Sequence, residues 1–189
     1  MTDSKRPLII GLVGEIASGK TTATDYLVKK YGAEPYKFSN MLRDILVRLH
    51  QETTRENLQK LSTAVRQLFG ENVMSKAIVR DLAGASTPLV VAEGIRRLSD
   101  IEYLKEFPNF VIVAVDADAR TRYERITQRS ENADDRAKTW DDFVRESQQE
   151  PEQKIREVMN AAKYVLDNNG TIEKFYIEID ALMARLRNL

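Results

Sequence analysis

The chain has 189 residues, 42% of them hydrophobic, and its 29 lysines and arginines are balanced by 29 aspartates and glutamates. That is enough apolar material for one full-cored domain, and a net charge of zero supplies no global field toward nucleic acid or an anionic membrane. The absence of cysteine excludes disulfides, thiolate zinc sites and cysteine nucleophiles, and a single histidine, His50, argues against a histidine-built metal site or a Ser-His-Asp triad.

Lys5-Arg6 followed by apolar residues imitates the start of a signal peptide, but the run breaks at Glu15 without a small-residue cleavage site. No stretch approaches the length of a membrane span, so the expectation is a cytoplasmic protein with no membrane or nucleic-acid partner. Leu8 to Val13 is apolar on both alternations, as a strand buried on both faces of a parallel sheet would be. Directly after it comes Gly14-Glu15-Ile16-Ala17-Ser18-Gly19-Lys20-Thr21, which fits the phosphate-binding pattern of Gly, four residues, then Gly-Lys-Ser/Thr, and a helix-like run from Thr21 to Lys30 follows. Glycines there let backbone N–H groups turn inward around an anion, and the helix aims its positive end at the same point. Gly14, Ala17, Ser18, Gly19, Lys20, Thr21 and Thr22 are accordingly the expected contacts to ATP phosphates. Lys20 reaches the terminal phosphate oxygens, and the Thr21 hydroxyl is a ligand for Mg²⁺.

Further short apolar strands are expected at Glu34 to Phe38, Leu89 to Ala92, Phe110 to Val115 and Tyr164 to Leu166. Helical segments separate them, which implies an α/β fold of three layers, a five-stranded parallel sheet flanked by helices through right-handed crossovers. Between the second and third strands the spacing predicts three helices, Asn40 to His50, one capped by Thr53 with Glu56 and running to Gly70, and Glu71 to Ala83. This region, 40–84, sits where a small-molecule kinase carries the part that closes on its phosphate acceptor. A single domain is thus expected, with core segments 7–39, 87–129 and 144–189 and a lid at 130–143.

Glu93 ends the third strand, where a carboxylate points into the ligand crevice, and Arg96 and Arg97 follow it. Ser99 with Glu102 predicts a capped helix through Phe107. The fourth strand runs into a helix carrying Arg120, Arg122, Arg125 and Arg129, of which the last three share a face. Fixed arginines stabilise the charge that gathers on oxygens during phosphoryl transfer, so Arg125 and Arg129 are the favoured candidates. The polar run from Ser130 to Lys138 has no apolar periodicity and is expected to be a mobile loop. Thr139 with Asp142 restarts a helix packed by Trp140 and Phe143, and Pro151 either begins a new helix or kinks this one. Asp167 to Gly170 reads as a turn beside the phosphate loop, and Thr171 caps a last helix with Ile172, Phe175, Ile179, Leu182 and Leu186 buried.

Together these residues resemble the small-molecule kinases of the phosphate-loop superfamily, and nucleoside monophosphate kinases in particular. Phe38-Ser39-Asn40-Met41-Leu42-Arg43 is similar to the Ser-Thr-Gly-Asp-Met-Leu-Arg segment of adenylate kinases, without its Gly and with Asn40 in place of Asp. Glu93-Gly94-Ile95-Arg96-Arg97 resembles their Asp-Gly-Phe-Pro-Arg. Tyr123 to Ile126 with Arg129 is similar to the helix leading into their lid, which would make Arg136 and Arg145 lid arginines. The resemblance implies that Arg43, with Ser39 and Arg96 or Arg97, holds the acceptor phosphate. Phage-type deoxynucleoside monophosphate kinases are similar in the same segments and favour Arg96 over Arg97. The tail, Ala162 to Glu173, resembles dephospho-coenzyme A kinases, although their catalytic aspartate has no counterpart in Gly32 to Asn40.

What this implies is transfer of the ATP γ-phosphoryl group to a nucleoside or deoxynucleoside monophosphate by a monomer or homodimer. Lys20, Glu93, Arg96, Arg125 and Arg129 would be catalytic, with Glu93 reaching Mg²⁺ through water. Dephospho-coenzyme A, attacked through its 3′-hydroxyl, is an alternative acceptor. A nucleotide-dependent switch or assembly factor with weak ATPase activity is the alternative of another class.

Overall fold

The computed structural model describes residues 7–128, 138–148 and 150–187. Five strands, β1 (Leu8–Val13), β2 (Glu34–Lys37), β3 (Leu89–Glu93), β4 (Phe110–Asp116) and β5 (Tyr164–Asp167), form one parallel sheet in the order β2-β3-β1-β4-β5. Among the described residues eight α-helices accompany them: α1 (Lys20–Tyr31), α2 (Phe38–Arg48), α3 (Arg55–Phe69), α4 (Val73–Leu82), α5 (Ala119–Gln128), α6 (Trp140–Ser147), α7 (Glu150–Asn160) and, after the last strand, α8 (Ile172–Leu186). The fold is the expected three-layer α/β architecture.

The period-2 alternation of β1 divides the core in two. Ile9 and Val13 face Phe38, Leu42, Met74, Ile78 and Val158 from α2, α4 and α7. Ile10 and Leu12 face Ala23 and Leu27 of α1 and Phe175, Ile179 and Leu182 of α8. With both faces covered, the central strands are free of polar side chains until their carboxyl ends, where β3 closes on Glu93 and β4 on Asp116, and all five residues of β3 are buried.

Several boundaries differ from the sequence expectation, each for a local reason. Phe38 leaves the strand and opens α2, because its ring is buried against the core from the helix side. The cap of α3 is Thr54, whose hydroxyl accepts the Asn57 N–H at 3.2 Å, one residue later than the Thr53–Glu56 pairing predicted. Beyond α2, exposed His50 adopts a left-handed backbone with φ 54° instead of lying on the helix surface. The helix expected from Ser99 to Phe107 is replaced by two 3-10 turns, Leu98–Ile101 and Leu104–Glu106. Asp100 is responsible: its Oδ2 accepts the Arg96 and Arg97 N–H groups at 2.9 and 3.0 Å, fixing a tight turn, while the Tyr103 N–H is drawn off to Ser75 Oγ at 3.0 Å. The Thr139–Asp142 capping box and the Thr171 cap form as expected.

One buried ion pair joins the helical insertion to the sheet. Arg66 of α3 reaches Asp100 Oδ1 at 2.6 Å, and the two side chains are 7% and 1% exposed. Nη1 of Arg66 also donates to the Glu71 carbonyl at 2.5 Å. Removing one partner of such a pair leaves a desolvated charge uncompensated. Asp100→Asn should therefore lower the unfolding free energy measured in urea by about 3–5 kcal/mol, and a loss below about 1 kcal/mol would show that the pair behaves as a solvated surface contact.

Candidate active site

The parallel strands end side by side at one edge of the sheet, and the loop 14–19 leaves β1 there. Its path depends on two glycines. A Cβ on Gly14 would lie 2.5 Å from the Val115 carbonyl oxygen, and Gly19, at φ 107°, would bring one to 2.1 Å from Asn168 Nδ2. Ala17 also has a positive φ of 60°. The result is a tight concave turn that runs into the N-terminus of α1, whose first N–H groups have no partner within the helix.

Three other elements anchor this loop. Glu15, 8% exposed, pairs through Oε2 with Arg122 Nη2 of α5 at 2.9 Å. Its Oε1 accepts Nε and Nη2 of Arg156, on α7, at 2.9 and 2.7 Å. Arg122 is itself held by the Ala117 carbonyl at 3.0 Å. From the turn after β5, Asn168 donates Nδ2 to the Ser18 carbonyl at 2.8 Å, while its own carbonyl accepts Arg125 Nη2 at 2.8 Å.

Lys20 bends back over the loop and donates to the Gly14 and Glu15 carbonyls at 2.7 and 2.9 Å. Burial, aided by the nearby Arg96, pulls its ammonium down to about 8, against the opposing pull of Glu152 and Glu93. At neutral pH the lysine is therefore still mostly protonated, and an arriving anion would hold that proton more firmly.

A cavity of about 1000 Å³ opens over the loop. Gly14, Ala17, Gly19, Lys20, Thr21 and Thr22 form its floor. Its walls carry Ser39 and Arg43 of α2, Arg96 from the β3 end and Arg125 of α5, so arginines from three separate segments meet at one space. Among the described residues Arg125 Nη1 is buried without a partner, which leaves a donor for a ligand. Ser18 lies behind the floor with its Oγ buried and unpartnered. Arg97 turns the other way, to Glu71 at 3.0 Å, and borders a second cavity of about 600 Å³. Glu93 is 8% exposed at the end of β3, 3.7 Å from Lys37, with Oε1 buried and without a hydrogen-bond partner among the described residues. Arg129, Arg136 and residues 130–137 of the expected lid lie outside the described residues, whereas Arg145 is an exposed partner of Asp142 on α6.

A hard cation suits these donors. Among the described residues no group of three or more acidic or histidine side chains could cage a metal. Mg²⁺ needs no such cage, since it takes one or two protein oxygens and completes its shell with phosphate and water. The Thr21 hydroxyl and the orphaned Glu93 oxygen are of that kind.

Sequence reasoning did not find Glu15, Asn168, Glu152 or Arg156. Glu15 and Asn168 lay inside segments already singled out, but their roles depend on contacts 107 to 150 residues away that no local pattern encodes. Arg122, grouped with Arg125 by helical spacing, is spent on Glu15 and the backbone and does not line the cavity.

Comparisons with known proteins agree with this architecture. A family model described as an AAA domain matches residues 13–142. A UPF0200 protein of Hyperthermus butylicus is 30% identical over 179 residues, covering 95% of each chain. One from Thermococcus kodakarensis is 30% identical over 181 residues, covering 93% of this chain and 96% of its own. Among solved structures, shikimate kinase from Bacteroides thetaiotaomicron superposes with a TM-score of 0.62 at 14% identity, over 95% of this chain and 98% of that one. The shikimate kinase of Acinetobacter baumannii, solved with shikimate, gives 0.52 at 21% identity, over 97% and 96%. These two likenesses establish the shared fold. No helix among the described residues is long and apolar enough to cross a membrane. On a P-loop kinase-like fold, and with its matches spanning most of its length, the chain belongs to the AAA domain family and to the UPF0200 group of proteins.

Proposed function

We propose that the protein is an ATP-dependent phosphotransferase that moves the γ-phosphoryl group to a small phosphate-bearing acceptor, with nucleoside and deoxynucleoside monophosphates as the first candidates. The observation that carries this reading is the convergence of the phosphate loop and Lys20 with Arg43, Arg96 and Arg125 on one cavity. A volume of about 1000 Å³ is at the upper end of ordinary ligand sites. Such a space suits a nucleotide triphosphate and a second substrate together.

In this reading the loop amides and Lys20 hold the β- and γ-phosphates, and Arg43 with Ser39 and Arg96 grips the acceptor phosphate. An oxygen of that phosphate attacks the γ-phosphorus, the bond to the β–γ bridging oxygen breaks, and ADP leaves. Arg125, and Arg129 by its place in the sequence, neutralise the charge spread over the transferring oxygens. Mg²⁺ arriving with the triphosphate would be held by Thr21, with Glu93 through water, and supplies further charge neutralisation there. An acceptor that already carries phosphate requires no strong base, in keeping with a chain whose one histidine is exposed beyond α2.

A second reading rests on the unpartnered Glu93 oxygen. If the acceptor is the 3′-hydroxyl of dephospho-coenzyme A, Glu93 becomes the base that takes its proton. ADP release measured against a panel of monophosphates and dephospho-coenzyme A separates the two. Turnover with dephospho-coenzyme A alone would replace the first reading by the second. Slow hydrolysis indifferent to every acceptor would instead mark a nucleotide-dependent switch.

Lys20→Ala should abolish transfer, by about 1000-fold or more, without lowering the melting temperature, because the side chain serves ligand rather than core. Wild-type turnover in that variant would remove the phosphate loop from the mechanism. Arg43→Ala and Arg96→Ala should raise the acceptor KM while leaving that for ATP unchanged; the opposite pattern would reassign both to the donor.

Lys20 also gives triphosphate binding a pH signature. Its free-state value of about 8 rises when anionic phosphates replace the carbonyls, so the bound state holds more protons above that pH. Affinity is therefore complete below about pH 8 and falls as the pH rises further, with a proton taken up on binding. Calorimetry at pH 9 in buffers of different ionisation enthalpy measures that uptake. Its absence, or its persistence in Lys20→Arg, would assign the effect to another group.

A further inference from the structure

Glu152 has no part in the reading so far. It stands in the first turn of α7, and its Oε2 is buried without a hydrogen-bond partner among the described residues. Four residues on, Arg156 projects from the same side of the helix and is tied to Glu15, so this face of α7 is held against the phosphate loop. Ile155, 5% exposed, packs between them and reaches the main cavity. Glu152 is therefore fixed in place by its helix rather than swinging from a loop. The same carboxylate raises the basicity of Lys20, which puts it near the terminal phosphates of a bound donor.

The two cavities meet at this residue. Ser39, Leu58, Gly94, Arg96 and Glu152 belong to the walls of both. Beyond them the second cavity is of mixed character, bounded by Phe38, Leu42, Met74 and Phe143 but also by polar side chains such as Gln59, Ser62 and Thr63, a lining able to take an acceptor body that is itself part apolar and part polar. An acceptor with its phosphate at Arg43 and Arg96 and its body against Phe38 and Met74 crosses the shared wall with the atoms in between. A carboxylate oxygen there repels the acceptor phosphate, and it is costly to leave desolvated. A neutral O–H donor removes the second cost without adding negative charge. In a nucleotide, the part between phosphate and base is the sugar.

Resting on the phosphotransfer reading above, we propose that Glu152 accepts a hydrogen bond from a sugar hydroxyl of the acceptor and thereby selects nucleotides with a complete ribose. A site built to receive a hydroxyl rejects the analogue lacking it, because its own polar group is then buried unpaired. The same chemistry would receive the ribose of dephospho-coenzyme A.

The test compares ribonucleoside 5′-monophosphates with their 2′-deoxy and 3′-deoxy counterparts, and includes dephospho-coenzyme A. Binding is measured by calorimetry beside a non-hydrolysable ATP analogue, and kcat/KM wherever turnover occurs. Loss of one of the two hydroxyls should weaken wild-type binding by roughly tenfold or more. Glu152→Ala should bring the two acceptors within about threefold, with the melting temperature as the control for folding. Glu152→Gln, which keeps the size and one acceptor oxygen, should fall between and serves if the alanine variant does not fold. Equal binding of complete and deoxy sugars to the wild type, or a preference that survives both substitutions, overturns the proposal. Discrimination by base alone would assign Glu152 to a base amino group and also overturn it. If all monophosphates turn over without regard to sugar, this inference falls and phosphotransfer stands; if none of the acceptors binds, both fall.

Discussion

The geometry of the candidate site depends on one buried carboxylate. Glu15 occupies the second position of the phosphate loop, and between its two oxygens it collects guanidinium groups from α5 and α7. A lone carboxylate at 10% side-chain exposure would be strongly disfavoured, and so would Arg122 at 4%. Each is tolerable because the other is there, and because Arg122 also finds the Ala117 carbonyl. The loop is thereby fastened to the two helices that flank the cavity, with Asn168 adding a third tie through Ser18. A loop meant to receive polyanions cannot fill its own anion cradle with side chains. Its rigidity has to come from behind, and these contacts supply it.

A similar division of labour governs the opposite wall. Asp100 takes the N–H groups of both Arg96 and Arg97 on one oxygen and Arg66 on the other. The backbone at the end of β3 is set in this way, and the two adjacent arginines leave it in different directions. Arg96 lines the main cavity and Arg97 goes to Glu71. Arg66 belongs to α3, so the helical insertion and the strand-end loop share one buried ion pair. Any shift of α3 on acceptor binding would be felt at Arg96 through that pair, since neither partner has water to fall back on.

The sheet and the phosphate loop were legible in the sequence because their signals are local. Short runs apolar on both alternations, separated by amphipathic stretches, admit little besides a covered parallel sheet, and Gly14 to Thr21 carries its chemistry in its own spacing. Ser39, Arg43 and Arg96 could be nominated by resemblance, and all three border the cavity. The sequence did not choose between Arg96 and Arg97, since the choice is made by a turn that Asp100 fixes through backbone N–H groups and by Glu71, 26 residues from Arg97, and no hydrophobic period encodes either contact. The 3-10 turns after β3 were missed for the same reason. Ser99 and Glu102 satisfy a capping pattern on paper, while the fold diverts the Tyr103 N–H to Ser75 on α4 and leaves Ser99 Oγ buried without a partner.

Zero net charge and a polyanion site are compatible because the charges are sorted by depth rather than by sign. Lys20, Arg96 and Arg125 border the space over the loop, and Arg125 retains a buried N–H with no partner among the described residues. The carboxylates nearby are of two kinds. Glu15 and Asp100 are saturated by arginines and by backbone N–H groups, so they shape the site without exposing negative charge to a ligand. Glu93 and Glu152 each keep a buried oxygen that no described residue satisfies. Carboxylates of the first kind explain how the site is built. Those of the second kind each leave an oxygen that a cation or a hydrogen-bond donor would satisfy, a narrower requirement than that of the arginines, which would welcome any phosphate.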